Sequence, residues 1–378
     1  MKILYLARFL PEEGSTTHMY TLVKGMIERG HEVHMISAGP TSNKGSVSIF
    51  NDVINDGLNH HKVRFPINTS YNSVGKIIQL LIYLLVTPQV LFLLLKLRPD
   101  IIHVHYPVTS YLAKLYSKVT GVKYVTTHHI SGIPKHPLHK KADYVVAISR
   151  ELKEELQNQF HYTEDQVKLI FNGVSVDRFS QKIDRTDKEE CKRKIGLSGD
   201  EVVIGFVGSL SHRKGIDVLI EAIAKLDRDY HVVILGDGEL EWVTSLVNDA
   251  GLKEKVTFEA FQDPIKFYQM FDVLVLPSRK EGFPLVPLEA MMMGIPTIRS
   301  EVEGARDQIE HGVDGYLFRN EDSGNLSEFL NSLIEDVNLR EVMGERAREK
   351  AVNHFSEKTM IDQLLNVYEI ANRKAKQV

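Results

Sequence analysis

The chain reads as an α/β protein made of two doubly wound parallel sheets, each covered by helices on both faces. Three observations predict this. Short apolar runs alternate with amphipathic stretches from one end to the other, as βα units require. The alternation occurs twice, interrupted between Asn172 and Gly199 by a stretch without a long apolar run. At 378 residues the chain also exceeds what one ordinary core holds, so two domains are expected.

In the first half, the runs 3–7, 32–37, 101–105, 124–127 and 144–147 are short and apolar, and read as buried strands. Helical patterns at 17–29, 74–97 and 110–120 lie between them. Gly30-His31 closes the first of these, glycine taking the left-handed position that ends a helix. A second series begins near Val202, with strands expected at 202–207, 231–235, 256–258, 273–276 and 297–299. Helices are expected from Gly215, Leu240, Ile265, Leu285 and Asn325 onward. The expected division is therefore 1–171, a linker or hinge at 172–199 carrying the charge cluster Asp184–Lys194, and 200–355. A last helix follows Ser356, with Met360, Ile361, Leu364, Leu365 and Tyr368 at helical spacing, able to pack on either domain.

Composition excludes several classes. With 43% hydrophobic and 25% charged residues, the chain has the means to build cores and is not disordered. A net charge of −4 argues against nucleic acid as a partner. The single Cys191 excludes an internal disulfide and a multi-cysteine zinc site, and its charged surroundings argue against a catalytic thiol. Lone cysteine use fits a reducing cytoplasm. The start, Met1-Lys2-Ile3-Leu4-Tyr5-Leu6, lacks the features of a signal peptide and is expected to form a first strand. The apolar run Ile77–Leu97 is broken by Gln79, Thr87-Pro88-Gln89 and Lys96, too often for a membrane span. A core helix is expected there, with a helix on a membrane surface as the second reading.

Two segments carry chemistry. Glu281-Gly282-Phe283-Pro284-Leu285-Val286-Pro287-Leu288-Glu289 follows an apolar strand and opens a helix. The first amides of a helix have no partners and, backed by its dipole, bind phosphate or sugar oxygens. Glu289 falls in the opening turns of that helix, where one carboxylate can accept from two neighbouring hydroxyls of a ribose. Gly205-Phe206-Val207-Gly208-Ser209-Leu210-Ser211-His212-Arg213-Lys214-Gly215 also runs from strand to helix. Its small residues let the backbone approach a ligand. Arg213 and Lys214 supply the charge that a departing diphosphate needs. The plainer readings are solvated glutamates around a turn and two basic residues on an exposed loop.

Together these segments resemble glycosyltransferase family 4, retaining enzymes with the GT-B fold. The Glu-x7-Glu motif falls on Glu281 and Glu289, and the family lysine on Lys214. Gly30-His31-Glu32-Val33, the segments Pro99 to His105, Asp143 to Ser149 and Asn172 to Phe179, Gly236-Asp237-Gly238 and Gly312-Val313-Asp314-Gly315-Tyr316 match along the length, in order. The resemblance implies that Glu289 holds the nucleotide ribose. It implies that Glu281 with the amides around Gly282, Phe283 and Leu285 holds the transferred sugar, Pro284 having no amide hydrogen. His128 matches a histidine that reaches the donor sugar, and Gly14 with Ser15 a loop that closes over the diphosphate. Gly208 and Ser209 line the donor side. The family needs no metal or other cofactor, and its last helix, here about 356–378, crosses back to the N-terminal domain. Two departures stand out: Ser209 stands where the family has an arginine, with Arg213 a candidate to replace it, and Ser15 stands where the family has a glycine.

Other patterns are weaker. Asp227-Arg228-Asp229 fits a metal-binding Asp-x-Asp but lies at the edge of the sheet opposite the expected site. His103, His105, His128 and His129 lack the spacing of a zinc site and are expected in the core or the cleft. Gly205-x-x-Gly208 lacks the middle glycine of a nicotinamide fingerprint. The expected function is transfer of a hexose or N-acetylhexosamine from a nucleotide sugar, UDP-linked by family weight, to a glycan or lipid-linked acceptor in polysaccharide synthesis. A non-catalytic nucleotide-sugar-binding subunit and an epimerase of the same fold are the alternatives. Ile77–Leu97, with the basic run Lys135-His136-Pro137-Leu138-His139-Lys140-Lys141, leads us to expect weak attachment to an anionic membrane from the cytoplasmic side.

Overall fold

The computed structural model describes residues 1–378 apart from 12–13, 42–43, 66–72, 106, 134, 180–184, 199–200 and 376–378. Asp184, where the charge cluster of the expected linker begins, lies outside the described residues, as does Gly199 at its end. The chain divides into two compact units, Met1–Phe171 with Glu357–Val378, and Asn172–Ser356.

The first unit contains β1 (Lys2–Leu6), β2 (Glu32–Ser37), β3 (Asn59–Lys62), β4 (Ile101–Val104), β5 (Tyr124–His128), β6 (Tyr144–Ala147) and β7 (Val167–Leu169). They form one sheet in the order β3-β2-β1-β4-β5-β6-β7, every neighbouring pair parallel. Its helices are α1 (Gly14–Glu28), α2 (Lys44–Asn55), α3 (Ser73–Leu97), α4 (Ser110–Thr120) and α5 (Arg150–Asn158). Both faces of the sheet are covered, which is why β1 is apolar and buried from Ile3 to Leu6. Ile3 and Tyr5 pack with Met19, Val23 and Met26 of α1, whereas Leu4 and Leu6 pack with Val90 and Leu94 of α3 and Leu112 of α4. Gly30, at φ 76, ends α1 as expected, its amide bonding Ile27 while His31 bonds Met26.

The second unit holds β8 (Val202–Val207), β9 (Tyr230–Leu235), β10 (Val256–Glu259), β11 (Val273–Leu276), β12 (Thr297–Ser300) and β13 (Gly315–Phe318). Their order is β10-β9-β8-β11-β12-β13, again all parallel. Its helices are α6 (Val176–Phe179), α7 (Arg185–Lys194), α8 (Ile216–Ile223), α9 (Leu240–Asp249), α10 (Ile265–Tyr268), α11 (Leu285–Met292), α12 (Ala305–Gln308), α13 (Ser323–Glu335) and α14 (Val337–His354).

The final helix, α15 (Glu357–Ala375), belongs to the first unit. Its Met360, Ile361, Leu364 and Tyr368 share a core with Met19, Val23 and Met26. Gly25 permits this approach, since a Cβ there would lie 2.2 Å from the end of Ile361.

The described part of 172–199 is folded into the second unit. Lys188 and Lys192 of α7 reach Asp272, at the head of β11, at 2.8 and 2.7 Å. Burial pushes the Asp272 carboxyl up, but these two ammoniums bring it below the usual range. The charge run is thus an anchor. Among the described residues, no helix is long and apolar enough to cross a membrane.

Candidate active site

In the second unit the strand order reverses between β8 and β11, and ligands of doubly wound sheets bind at the carboxyl ends of the strands at such a point. The chain leaves β8 through Gly208 and Ser209 into a short 3-10 turn, His212–Lys214. It leaves β11 through Pro277 toward Glu281. The two exits touch at Gly215, at φ 66, where a Cβ would lie 2.0 Å from the Pro277 carbonyl. Glycine is required there, and it brings Lys214 against Glu281.

Lys214 Nζ donates to Glu281 Oε1 at 2.6 Å, with side-chain exposures of 14% and 9%. Arg213 lies 4.0 Å from the other oxygen and is half exposed. Burial pushes the Glu281 carboxyl up, yet Lys214 and Arg213 hold it below the usual range, so it is ionised. Glu289, on α11, differs. Burial raises its carboxyl above the usual range, only partly offset by the Tyr268 hydroxyl donating to it at 2.7 Å. The carboxyls of the two glutamates of one motif are therefore shifted in opposite directions.

Residues outside the motif hold it in place. Asn172 donates to the Phe283 carbonyl at 2.7 Å, and Gln308 to the Pro284 carbonyl at 2.8 Å. The amides of Gly282 and Leu285 have no partner among the described residues, so they remain open to a ligand. Sequence reasoning missed Arg279. Its guanidinium grips Asp217 through two bonds of 2.8 and 2.7 Å, and donates to the His212 carbonyl at 2.6 Å. It thereby fixes the turn that carries Lys214. One basic residue in a turn gives no signal of such a role. Ser209 is exposed, 3.4 Å from the Ser211 hydroxyl.

In the first unit the order reverses between β1 and β4. Here α1 begins at Gly14 and Ser15, and His105 and His129 follow the ends of β4 and β5. His105 Nδ1 lies 3.1 Å from His129 Nε2, and the His18 ring stands edge-on to both. Burial pulls His18 down to about 3, and His105 and His129 well below 6.5, so all three are neutral. Among the described residues, both nitrogens of His18 and Nε2 of His105 are buried without a partner. One nitrogen from each ring lies within 4.8 Å of the others, a donor set suited to a divalent transition metal. His18, on α1, had no spacing to link it to the other two. His103 is a core residue instead, bonded to Tyr368 and Thr127.

His128 faces elsewhere. It lines a cavity of about 270 Å³ with Lys135, His136, His139, Lys140 and Lys141, and no acidic side chain is in the lining among the described residues. Burial, with His139 nearby, pulls His128 down to about 4. The basic run noted in the sequence is therefore a cavity wall. Asp227 and Asp229 are exposed in the turn before β9, where Arg228 pairs with Glu335 at 2.6 Å. Neither joins a group of possible metal ligands among the described residues.

Two family models match the chain: Glycosyltransferase Family 4 over residues 13–178, and Glycosyl transferases group 1 over residues 187–350. The chain belongs to glycosyltransferase family 4. This family 4 glycosyltransferase is 28% identical over 384 residues to an uncharacterized glycosyltransferase, MJ1607, of Methanocaldococcus jannaschii, covering 95% of this chain and 94% of that one. It is 28% identical over 372 residues to the N-acetyl-alpha-D-glucosaminyl L-malate synthase of Bacillus anthracis, 92% of this chain and 91% of that one. Among solved structures, Anabaena Alr3699/HepE in complex with UDP matches with a TM-score of 0.81 at 20% identity, over 98% of this chain and 100% of that one. The fold is GT-B.

Proposed function

We propose that this family 4 glycosyltransferase moves a hexose or N-acetylhexosamine from a UDP-sugar to a glycan or lipid-linked acceptor in surface polysaccharide synthesis, with retention and without a metal. The observation that carries the reading is the Lys214–Glu281 pair at the switch point of the second sheet, 2.6 Å long and largely withdrawn from water. Lys214, helped by Arg213 in place of the arginine missing at Ser209, neutralises the departing diphosphate. Glu281 with the amides of Gly282 and Leu285 orients the sugar, and Glu289 takes the ribose. The bond from the anomeric carbon to the diphosphate oxygen breaks while the acceptor oxygen bonds to the same face. The acceptor's proton passes to the departing diphosphate oxygen. Positioning and fixed charge do most of the work.

The basic cavity of the first unit supports an acceptor with an anionic group. The Bacillus anthracis relative is named for L-malate, itself an anion. The diphosphate loop implied at Gly14 and Ser15 adjoins His129 through His18, which favours His129 over His128 as the histidine that reaches the donor sugar. The reading places the enzyme at the cytoplasmic side of a membrane, peripherally held.

Transfer and donor hydrolysis by the purified protein test this. Lys214→Ala is expected to lower turnover about a hundredfold or more. Near-normal turnover would remove Lys214 from the mechanism. Absence of both activities with every nucleotide sugar offered would favour a binding subunit. Activity is expected to persist in a strong chelator. Loss that added zinc restores would point to His18, His105 and His129.

A further inference from the structure

Helix α3 buries only one side of its apolar surface. Tyr83, Val86, Val90 and Leu94 enter the core. Leu81, Leu84, Leu85, Phe92 and Leu95 are 54, 61, 79, 64 and 53% exposed. They recur every three or four residues, or twice that, and so share one face over about 20 Å. On α4, which packs beside α3, Leu115 and Val119 stand one turn apart, 41 and 80% exposed. Of thirteen large exposed apolar residues among those described, these two helices carry seven. Such residues are ordinarily scattered singly over a soluble surface; a cluster marks a binding face.

Charge identifies the partner. Neither helix contains an aspartate or glutamate, although the chain has 50. Their described charges are Lys96, Lys114 and Lys118, with Arg98 one residue past the end of α3. We infer that the α3–α4 face is a docking surface for an anionic lipid bilayer, with α3 lying in the plane of the headgroups. Apolar side chains enter the acyl boundary while lysines meet phosphates. The helix does not cross, because its other side belongs to the core. A second copy of the chain is a poorer occupant, since a two-fold contact would set one acid-free, basic face against another. The surface extends the reading of a lipid-linked acceptor by naming what holds the enzyme near it, yet it needs no catalysis to be observed.

Flotation on a density gradient tests it, with vesicles of phosphatidylcholine alone or mixed with phosphatidylglycerol. The full chain is expected to rise with the mixed vesicles at low salt and to be partly released at high salt. Leu85→Glu with Phe92→Glu changes only exposed side chains and is expected to keep the thermal transition. Its partition is expected to fall on the order of a hundredfold, as each buried Leu or Phe is worth roughly tenfold or more. Lys96→Gln with Lys118→Gln is expected to weaken binding to mixed vesicles about thirtyfold. Failure of the full chain to float, or equal flotation of the glutamate variant, overturns the inference. So does a dimer of the full chain, seen by light scattering, that the glutamate variant abolishes. Flotation by a protein without transferase activity leaves the surface standing and counts only against the donor and acceptor reading.

Discussion

His128 and His129 are adjacent, yet a one-residue step sends their rings into different surroundings, because successive side chains at a strand end point to opposite faces. His128 joins the lysine-lined cavity, and His129 joins His18 and His105 beside the start of α1. His129→Ala is expected to lower donor hydrolysis at least tenfold. His128→Ala is expected to leave hydrolysis near normal and to raise the acceptor KM. The reverse pattern, measured with and without acceptor, would return the donor role to His128. The meeting of Lys214 and Glu281 was legible in the sequence because each lies on a segment that leaves a strand toward a helix at one sheet edge, whereas Glu289 sits within α11 itself. His18 was not legible. Its convergence with His105 and His129 depends on the path of three separate chain segments, which no spacing encodes.

Elements were legible in proportion to how fully they are buried. The central strands β1, β4, β8 and β11 are covered on both faces and read as continuous apolar runs. The three strands missed, β3, β7 and β13, are all sheet edges. β3 is Asn59-His60-His61-Lys62, polar enough to read as loop. Its His60 and His61 are held instead by the Ser37 hydroxyl at 2.9 Å and by His34 at 3.0 Å. The turn His212–Lys214 is likewise set by a partner far along the chain, Arg279. Arg279→Ala would leave the Asp217 charge largely buried without its partner, and is expected to cost about 3 kcal/mol in urea unfolding. Turnover is expected to fall as Lys214 loses its fixed position. Joining Asp217→Leu to Arg279→Met should recover most of the stability, since neither charge remains, but not the turnover. Recovery of both would reduce Arg279 to a general stabilising contact.

At the scale of the whole molecule, the two units are expected to differ in acid sensitivity. Burial first of all holds nine histidines of the first unit below 6.5: His18, His31, His60, His61, His103, His105, His128, His129 and His139. In the second unit only His231 is so lowered among the described residues. A histidine neutral when folded and titrating near 6.5 when unfolded makes the unfolded chain bind more protons below that pH, so stability falls as pH falls. His18 and His103 are held at about 3 and His128 at about 4, so their loss begins near pH 6.5 and continues to those values. These three together remove on the order of 4 kcal/mol by pH 5.5, much of what a domain has, and His105 and His129, shifted in the same direction, add to the loss. The single tryptophan, Trp242, packs against the core of the second unit and reports on it alone. Between pH 7 and 5.5, the far-UV dichroism transition is expected to split, its acid-sensitive part moving to lower temperature. The Trp242 fluorescence transition is expected to stay nearly fixed. If both probes shift together and by the same amount, the units unfold as one, and the buried histidines do not set a separate acid limit for the first.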